Sequence, residues 1–147
     1  MSEGAAAVRV GVIGTGAISQ VVHVPLFAER QDVELVAVAD ADLHKAEALS
    51  RRFKVPHVCD ADALIMRDDL DAVVICTPNH LHEPMAIAAL EAGKHVFVER
   101  PLATSSTGAA RVIQAAERAG RVLVAGMPHR FRPGVAALRD FVAGGEL

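Results

Sequence analysis

The stretch Val8-Arg9-Val10-Gly11-Val12-Ile13-Gly14-Thr15-Gly16-Ala17-Ile18-Ser19 decides how the chain is read. Residues 8–13 form a short, almost wholly apolar run, the pattern of a strand buried in a sheet. A glycine turn follows, and the pattern of residues 17–28 predicts a helix. Gly14 permits the tight turn, and Gly16 allows the backbone to approach a pyrophosphate. A helix that starts here aims free N–H groups and the positive end of its dipole at such an anion. Gly14, Gly16, Ala17 and Ile18 are therefore the candidate phosphate-binding residues. The third position of the motif carries Ser19, where Gly or Ala is usual, and serine is still small enough for close helix–strand packing. By itself the pattern is also that of an ordinary glycine turn.

Outward from this stretch, apolar runs of strand length alternate with helical patterns. Strands are predicted at 35–39, 72–75, 95–98 and 122–125, with a weaker one at 57–58. Helices are predicted at 43–53, 84–92 and 106–119, with a short one at 61–66. A last, amphipathic helix at 134–143 places Val135, Leu138 and Val142 on one face, before a turn at Gly144–Leu147. Asp42 can cap the second helix, Pro84 opens the third, and Gly93 and Gly120 stop the later ones. Repeated strand-then-helix order implies right-handed crossovers and an α/β, doubly wound parallel sheet. Asp40 ends the second strand about 20 residues past the glycine motif, where a carboxylate accepts from dinucleotide ribose hydroxyls and repels a 2′-phosphate. Its alternative reading is a helix cap or a loop carboxylate.

The 147 residues hold 15 Lys+Arg against 18 Asp+Glu, a formal charge of −3, and 52% are hydrophobic. That length fits one domain with a real core. Net acidity without a basic run argues against nucleic acid or an anionic membrane as partner. With five Phe and no Trp or Tyr, there is no aromatic platform for stacking bases. The longest uncharged stretch, 10–28, is too interrupted by Gly, Gln, His and Pro to cross a membrane. Met1-Ser2-Glu3-Gly4 lacks the basic start of a secretory signal, and Cys59 and Cys76 have no metal or disulfide spacing. A soluble, cytoplasmic protein without a metal is expected.

Six segments in order carry a family resemblance: Val10-Gly11-Val12-Ile13-Gly14-Thr15-Gly16-Ala17-Ile18, Val36-Ala37-Val38-Ala39-Asp40, Cys76-Thr77-Pro78-Asn79-His80-Leu81-His82, Glu91-Ala92-Gly93-Lys94-His95-Val96, Glu99-Arg100-Pro101-Leu102-Ala103 and Arg130-Phe131-Arg132-Pro133. Together they resemble the N-terminal domain of the Gfo/Idh/MocA oxidoreductases, relatives of glucose–fructose oxidoreductase and inositol dehydrogenase. The resemblance implies a Rossmann domain over 1–130 and a connecting helix over 131–147. In full-length relatives this helix leads to a second domain that supplies the catalytic Asp and His, most of the sugar pocket and the dimer surface. The chain is expected to lack that domain.

The resemblance also implies that Thr77, Pro78, Asn79 and His82 sit beside the cofactor's ribose and nicotinamide, and that Glu99 contacts the nicotinamide ribose. The family's next residue is a proton-transfer Lys, and here it is Arg100. Arginine presents a fixed charged fork and is effectively never deprotonated, so it orients substrate but is a poor acid or base. Arg100 and His82 are the candidate catalytic residues, both with that reservation of chemistry.

Other residues have plainer readings. His80-x-His82 lacks a third metal ligand, Asp68-Asp69-x-Asp71 reads as a solvated loop, and Ser105, Ser106 and Thr107 read as a helix start. His23 reads as a packed or capping histidine, and Cys76 as a small buried hydrophobe. His129 stands between a substrate-facing and a structural role. The expected cofactor is NAD rather than NADP, since Asp40-Ala41 brings no arginine for a 2′-phosphate and only Lys45 could reach it. The expected function is the cofactor half of a dehydrogenase that moves hydride between nicotinamide and a sugar, cyclitol or similar polyol. The alternative is a non-catalytic, stand-alone NAD-binding module or partner subunit. A methyltransferase-like nucleotide fold explains neither the Thr77-Pro78-Asn79 nor the Glu99-Arg100-Pro101 segment. Self-association or a partner chain is expected through the Val135, Leu138 and Val142 face.

Overall fold

Branched aliphatic runs lie side by side as six parallel strands in a computed structural model that describes residues 6–145. The Met1-Ser2-Glu3-Gly4 start and residues Glu146 and Leu147 of the expected terminal turn lie outside the described residues. The strands are β1 (Val8–Ile13), β2 (Val33–Ala39), β3 (His57–Cys59), β4 (Ala72–Ile75), β5 (His95–Glu99) and β6 (Leu123–Gly126). Their spatial order is β3-β2-β1-β4-β5-β6. The order reverses between β1 and β4, and in such sheets the crevice at the carboxyl ends of these two strands takes the ligand.

Helices cover both faces: α1 (Val24–Glu29), α2 (Leu43–Phe53), α3 (Ala61–Ile65), α4 (His82–Glu91), α5 (Ser106–Ala119) and, beyond the sheet, α6 (Pro133–Ala143). Each face therefore has its own core. Val10, Val12, Val38 and Val74 pack with Val24, Ala46 and Leu49 on one side. Ile13, Val73, Ile75, Val96 and Val98 pack with Leu64, Leu90 and Val112 on the other. This two-sided burial is why the central strands read as continuous apolar runs rather than alternating ones.

The boundaries differ from the predicted ones for local reasons. β2 starts at Val33 rather than 35, because Glu34 lies on the exposed side as the register partner of Arg9. The helix predicted over 17–28 is not uniform. It runs as a π-turn over Ser19–His23 before α1, and the widening adjoins Pro25, which has no N–H to bond the preceding turn. The helix predicted from 84 instead begins at His82, after a 3-10 turn over Asn79–Leu81. A second 3-10 turn, Pro128–Phe131, precedes α6.

Capping is as read. The Asp42 carboxylate accepts from the His44 and Lys45 N–H groups, Ser105 Oγ accepts from Gly108 N–H, and Gly120 ends α5 in the left-handed conformation. The acidic run before β4 is held by arginines: Asp71 takes a two-pronged ion pair from Arg9, and Asp69 pairs with Arg67. Lys94, almost fully buried, donates from Nζ to the carbonyls of Arg67 and Leu70 at 2.6 and 3.0 Å. None of the residues of α6 is buried, and Leu138 is 61% exposed. Among the described residues, no helix is long and apolar enough to cross a membrane.

Candidate functional site

The glycine turn lies where the sheet order reverses. Gly14 N–H bonds the Ala39 carbonyl at the end of β2, and Cys76 N–H bonds the Ile13 carbonyl at the end of β1. Gly14 has φ +92°, and a Cβ there would stand 2.6 Å from the Cys76 carbonyl oxygen, so only glycine fits. Gly16 is the opposite case: a Cβ there would meet nothing within 4 Å, so the backbone borders open space. Buried Ser19 closes the loop by donating its hydroxyl to the Gly14 carbonyl at 2.5 Å. Serine at the third motif position thus serves as a small residue and as an internal tie.

Two cavities flank this loop and share Cys76 and Thr77. The larger, about 690 Å³, is bordered by Gly14, Gly16, Asp40, Thr77 and Pro78. Its far wall comes from Ala41 and Leu81 and from Asp60, Ala61, Asp62 and Met85, and the last four were not singled out by the motif reading. The only sequence signal of Asp60, Ala61 and Asp62 is that they follow the end of β3. The smaller cavity, about 350 Å³, is bordered by Ile18, Asn79, His82, Glu99 and Arg100. Every candidate site residue except Ala17 therefore borders one cavity or the other; Ala17 is exposed beside Gly16.

Asp40 is already bonded before any ligand is considered. One carboxylate oxygen accepts the Thr15 N–H at 2.6 Å and the Thr15 hydroxyl at 2.8 Å, and the other accepts the Asp42 N–H at 2.9 Å. Partial burial pushes this carboxyl up, but these donors and the charge of Lys45 outweigh it and hold Asp40 below the usual carboxylate range. It is therefore an anion at neutral pH. Cys76 moves the other way: burial pushes its thiol up to about 11, against a hydrogen bond with Ser19, and the charge of Glu99 adds to the rise. A protonated thiol at this position is not a nucleophile.

His82 is 1% exposed, and its ring bridges two loops. Nδ1 lies 2.6 Å from the Pro101 carbonyl and Nε2 lies 2.8 Å from the Thr77 carbonyl. Both ring nitrogens lie within hydrogen-bond distance of main-chain carbonyls, and a ring N–H donates to a carbonyl. Buried between the β4 and β5 loops, the ring acts as a strut. Arg100 is exposed at the cavity rim and makes no ion pair among the described residues, and its peptide with Pro101 is cis. Glu99 faces inward instead and meets His23 at 2.7 Å, a pairing the sequence reading missed because 76 residues separate them.

These residues fit a dinucleotide. Gly16 leaves the loop backbone open to the larger cavity. Thr77, which borders both cavities, carries a buried hydroxyl with no hydrogen-bond partner.

Comparisons with known proteins agree with this geometry. The family model described as "Oxidoreductase family, NAD-binding Rossmann fold" (Gfo/Idh/MocA) matches residues 8–127. The chain is 36% identical over 140 residues to the D-glucoside 3-dehydrogenase of Escherichia coli (strain K12), covering 95% of this chain and 40% of the relative. It is 38% identical over 143 residues to the inositol 2-dehydrogenase of Paracoccus denitrificans (strain Pd 1222), covering 92% and 41%. Among solved structures, a 3-ketoreductase from Actinomadura kijaniata in complex with TDP-benzene and NADP superposes with TM-score 0.85 at 32% identity, covering 95% of this chain and 44% of that one. The chain thus spans about 40% of the length of the curated relatives it matches. The glycine turn, the strand order and the match over 8–127 together make the chain a member of the Gfo/Idh/MocA oxidoreductase family, in which it is the NAD-binding Rossmann domain.

Proposed function

We propose that the chain holds NAD(H) as the cofactor half of a dehydrogenase for a sugar, cyclitol or similar polyol, and that this half alone binds without turnover. The observation that carries the reading is the pair of cavities meeting at Cys76 and Thr77 beneath the glycine loop. One is edged by the anionic Asp40 and the other by Glu99 and Arg100. A dinucleotide laid across them has its pyrophosphate at Gly14 and Gly16, its adenosine ribose at Asp40, and its nicotinamide end at Thr77, Asn79 and Glu99. Ala17 and Ile18 contribute the first helical turn beside the pyrophosphate. When bound, the cofactor supplies the nicotinamide carbon that exchanges hydride.

The chain's own residues do the rest. Asp40 accepts ribose hydroxyls and repels a 2′-phosphate, and the nearby carboxylates Asp60 and Asp62 add to that repulsion. This favours NAD, although the 3-ketoreductase relative was solved with NADP. Pro78, Leu81 and Met85 give the adenosine side its apolar contacts, between the carboxylates of Asp40, Asp60 and Asp62. His82 holds the β4 and β5 loops in register, so Thr77 and Glu99 face one cavity. Arg100 keeps its charge at the rim, where it can orient an oxygen of the substrate but not remove its proton. The D-glucoside 3-dehydrogenase and inositol 2-dehydrogenase relatives support the substrate class. Hydride transfer needs the substrate fixed over the nicotinamide, a positioning effect of roughly 7–11 kcal/mol, and a base for the proton, which Arg100 at the rim is poorly suited to be.

The second reading, a stand-alone binding module, is favoured by the departure Arg100 and by the engaged nitrogens of His82. The two separate in one assay. Absorbance at the NADH band is followed over sugars, inositols and their keto forms, with wild type and Arg100→Lys. No turnover by either protein alone is expected, and turnover by a complex with a partner chain identifies the enzyme half. Clear turnover by the isolated wild type contradicts the reading.

The apolar face of α6, with Phe131 beside it at 79% exposure, is the surface through which the chain associates with itself or a partner. The division into 1–130 for the cofactor and 131–147 as a connecting helix follows the same logic, since α6 makes no core contact.

A further inference from the structure

His23 stands in the π-turn Ser19–His23, and Glu99 ends β5. The fold brings Nε2 of the one to 2.7 Å from Oε1 of the other. A carboxylate only accepts, so the imidazole N–H donates. The ring is held on both sides by aromatic neighbours: Phe97 meets it edge-on at 5.3 Å between centroids, and Phe27 lies at 6.1 Å. Only 8% of His23 is exposed, and π-turns of this kind occur frequently at functional positions. On the other flank, the second Glu99 oxygen lies 3.1 Å from where a Cβ of Gly126 would be, so the bare backbone of β6 makes room for the carboxylate.

Glu99 borders the smaller cavity, and its charge is felt there, since it helps to push up the Cys76 thiol. Among the described residues its only side-chain hydrogen-bond partner is His23. The carboxylate is thus held in one orientation by a donor that lies behind it. Oxidised and reduced nicotinamide dinucleotides share every group except the ring, which is cationic in one and neutral in the other. An anion fixed beside that ring distinguishes the two forms.

We infer that the His23–Glu99 pair sets the preference of the site for oxidised over reduced cofactor, Glu99 by its charge and His23 as a positioning residue that holds it. This rests on the cofactor reading above. The test is equilibrium binding of NAD⁺ and NADH to wild type, Glu99→Gln and His23→Gln, with NADH followed by its fluorescence and NAD⁺ by competition. Thermal melts without cofactor check that each variant is folded. Glu99→Gln keeps the shape and removes the charge, and is expected to raise the ratio Kd(NAD⁺)/Kd(NADH) about tenfold. His23→Gln is expected to move the ratio the same way by about threefold, and the double variant to match Glu99→Gln alone. If His23→Gln does not fold, Glu99→Gln decides. An unchanged ratio in Glu99→Gln, including an equal loss of both affinities, overturns the inference and leaves the cofactor reading standing. A wild-type chain that binds neither form overturns both.

Discussion

Asp40 receives both donors of Thr15, the main-chain N–H at 2.6 Å and the hydroxyl at 2.8 Å, through a single carboxylate oxygen. The carboxylate at the end of β2 is therefore locked to the middle of the glycine loop, and the two halves of the adenosine site are positioned together. Asp40→Asn removes the charge and converts one oxygen into a donor facing N–H groups. NADH affinity is expected to fall about tenfold, and the preference for NADH over NADPH to shrink by a similar factor, in parallel fluorescence titrations.

The two loop glycines should separate folding from binding. Gly14→Ala forces a Cβ onto the Cys76 carbonyl at positive φ, and is expected to cost about 2–4 kcal/mol of stability or to prevent folding. Gly16→Ala meets nothing and should leave the unfolding free energy in urea within about 0.5 kcal/mol of wild type, yet weaken NADH binding at least tenfold. Equal NADH affinity in folded Gly16→Ala would show that the backbone there does not approach a phosphate.

Acid stability should report the Arg9–Asp71 clamp. Asp71 is held at about 2 by the hydrogen bonds and charge of Arg9, below its unfolded value. A depressed carboxyl stabilises the fold fully above its unfolded pKa, near pH 4, and loses that contribution as pH falls toward 2. The pair is largely exposed to solvent, so its contribution is small. Melting curves of wild type and Arg9→Gln should differ by a constant amount above pH 4 and converge toward pH 2. A gap that widens on acidification would refute this assignment.

Lys94 gives a test of structure without function. Lys94→Met strands the carbonyls of Arg67 and Leu70 and is expected to cost about 1–3 kcal/mol, with NADH affinity unchanged.

What was legible in the chain follows the range of the interactions. The Asp42 and Ser105 caps and the left-handed Gly120 depend on residues within one helical turn, so local chemistry announces them. The two-sided burial of the sheet was legible because it leaves β1, β2 and β4 apolar at nearly every position. His23–Glu99, His82 between two carbonyls, and Lys94 beneath the β4 approach were not legible in the same way. Each joins residues far apart in sequence, and each polar side chain has an ordinary local reading until the fold supplies its partner. Asp60 and Asp62 entered the site for the same reason: the β3 turn reaches the cavity only because β3 lies beside β2.

The α6 surface is tested by light scattering over a concentration series. Association is expected to grow with concentration and to be reduced by Leu138→Glu, which replaces a 61%-exposed apolar side chain by a charge. A monodisperse monomer at all concentrations would contradict the role given to this face.

The most direct measurement is titration of the purified chain with NADH, read by the cofactor's own fluorescence, which a protein without tryptophan leaves free of indole background. Saturable enhancement at one site per chain, competed by NAD⁺ and resisted by NADPH, is the expected result. Absence of saturation into the millimolar range, with the chain folded by circular dichroism, would contradict the assignment of these two cavities to a nicotinamide dinucleotide.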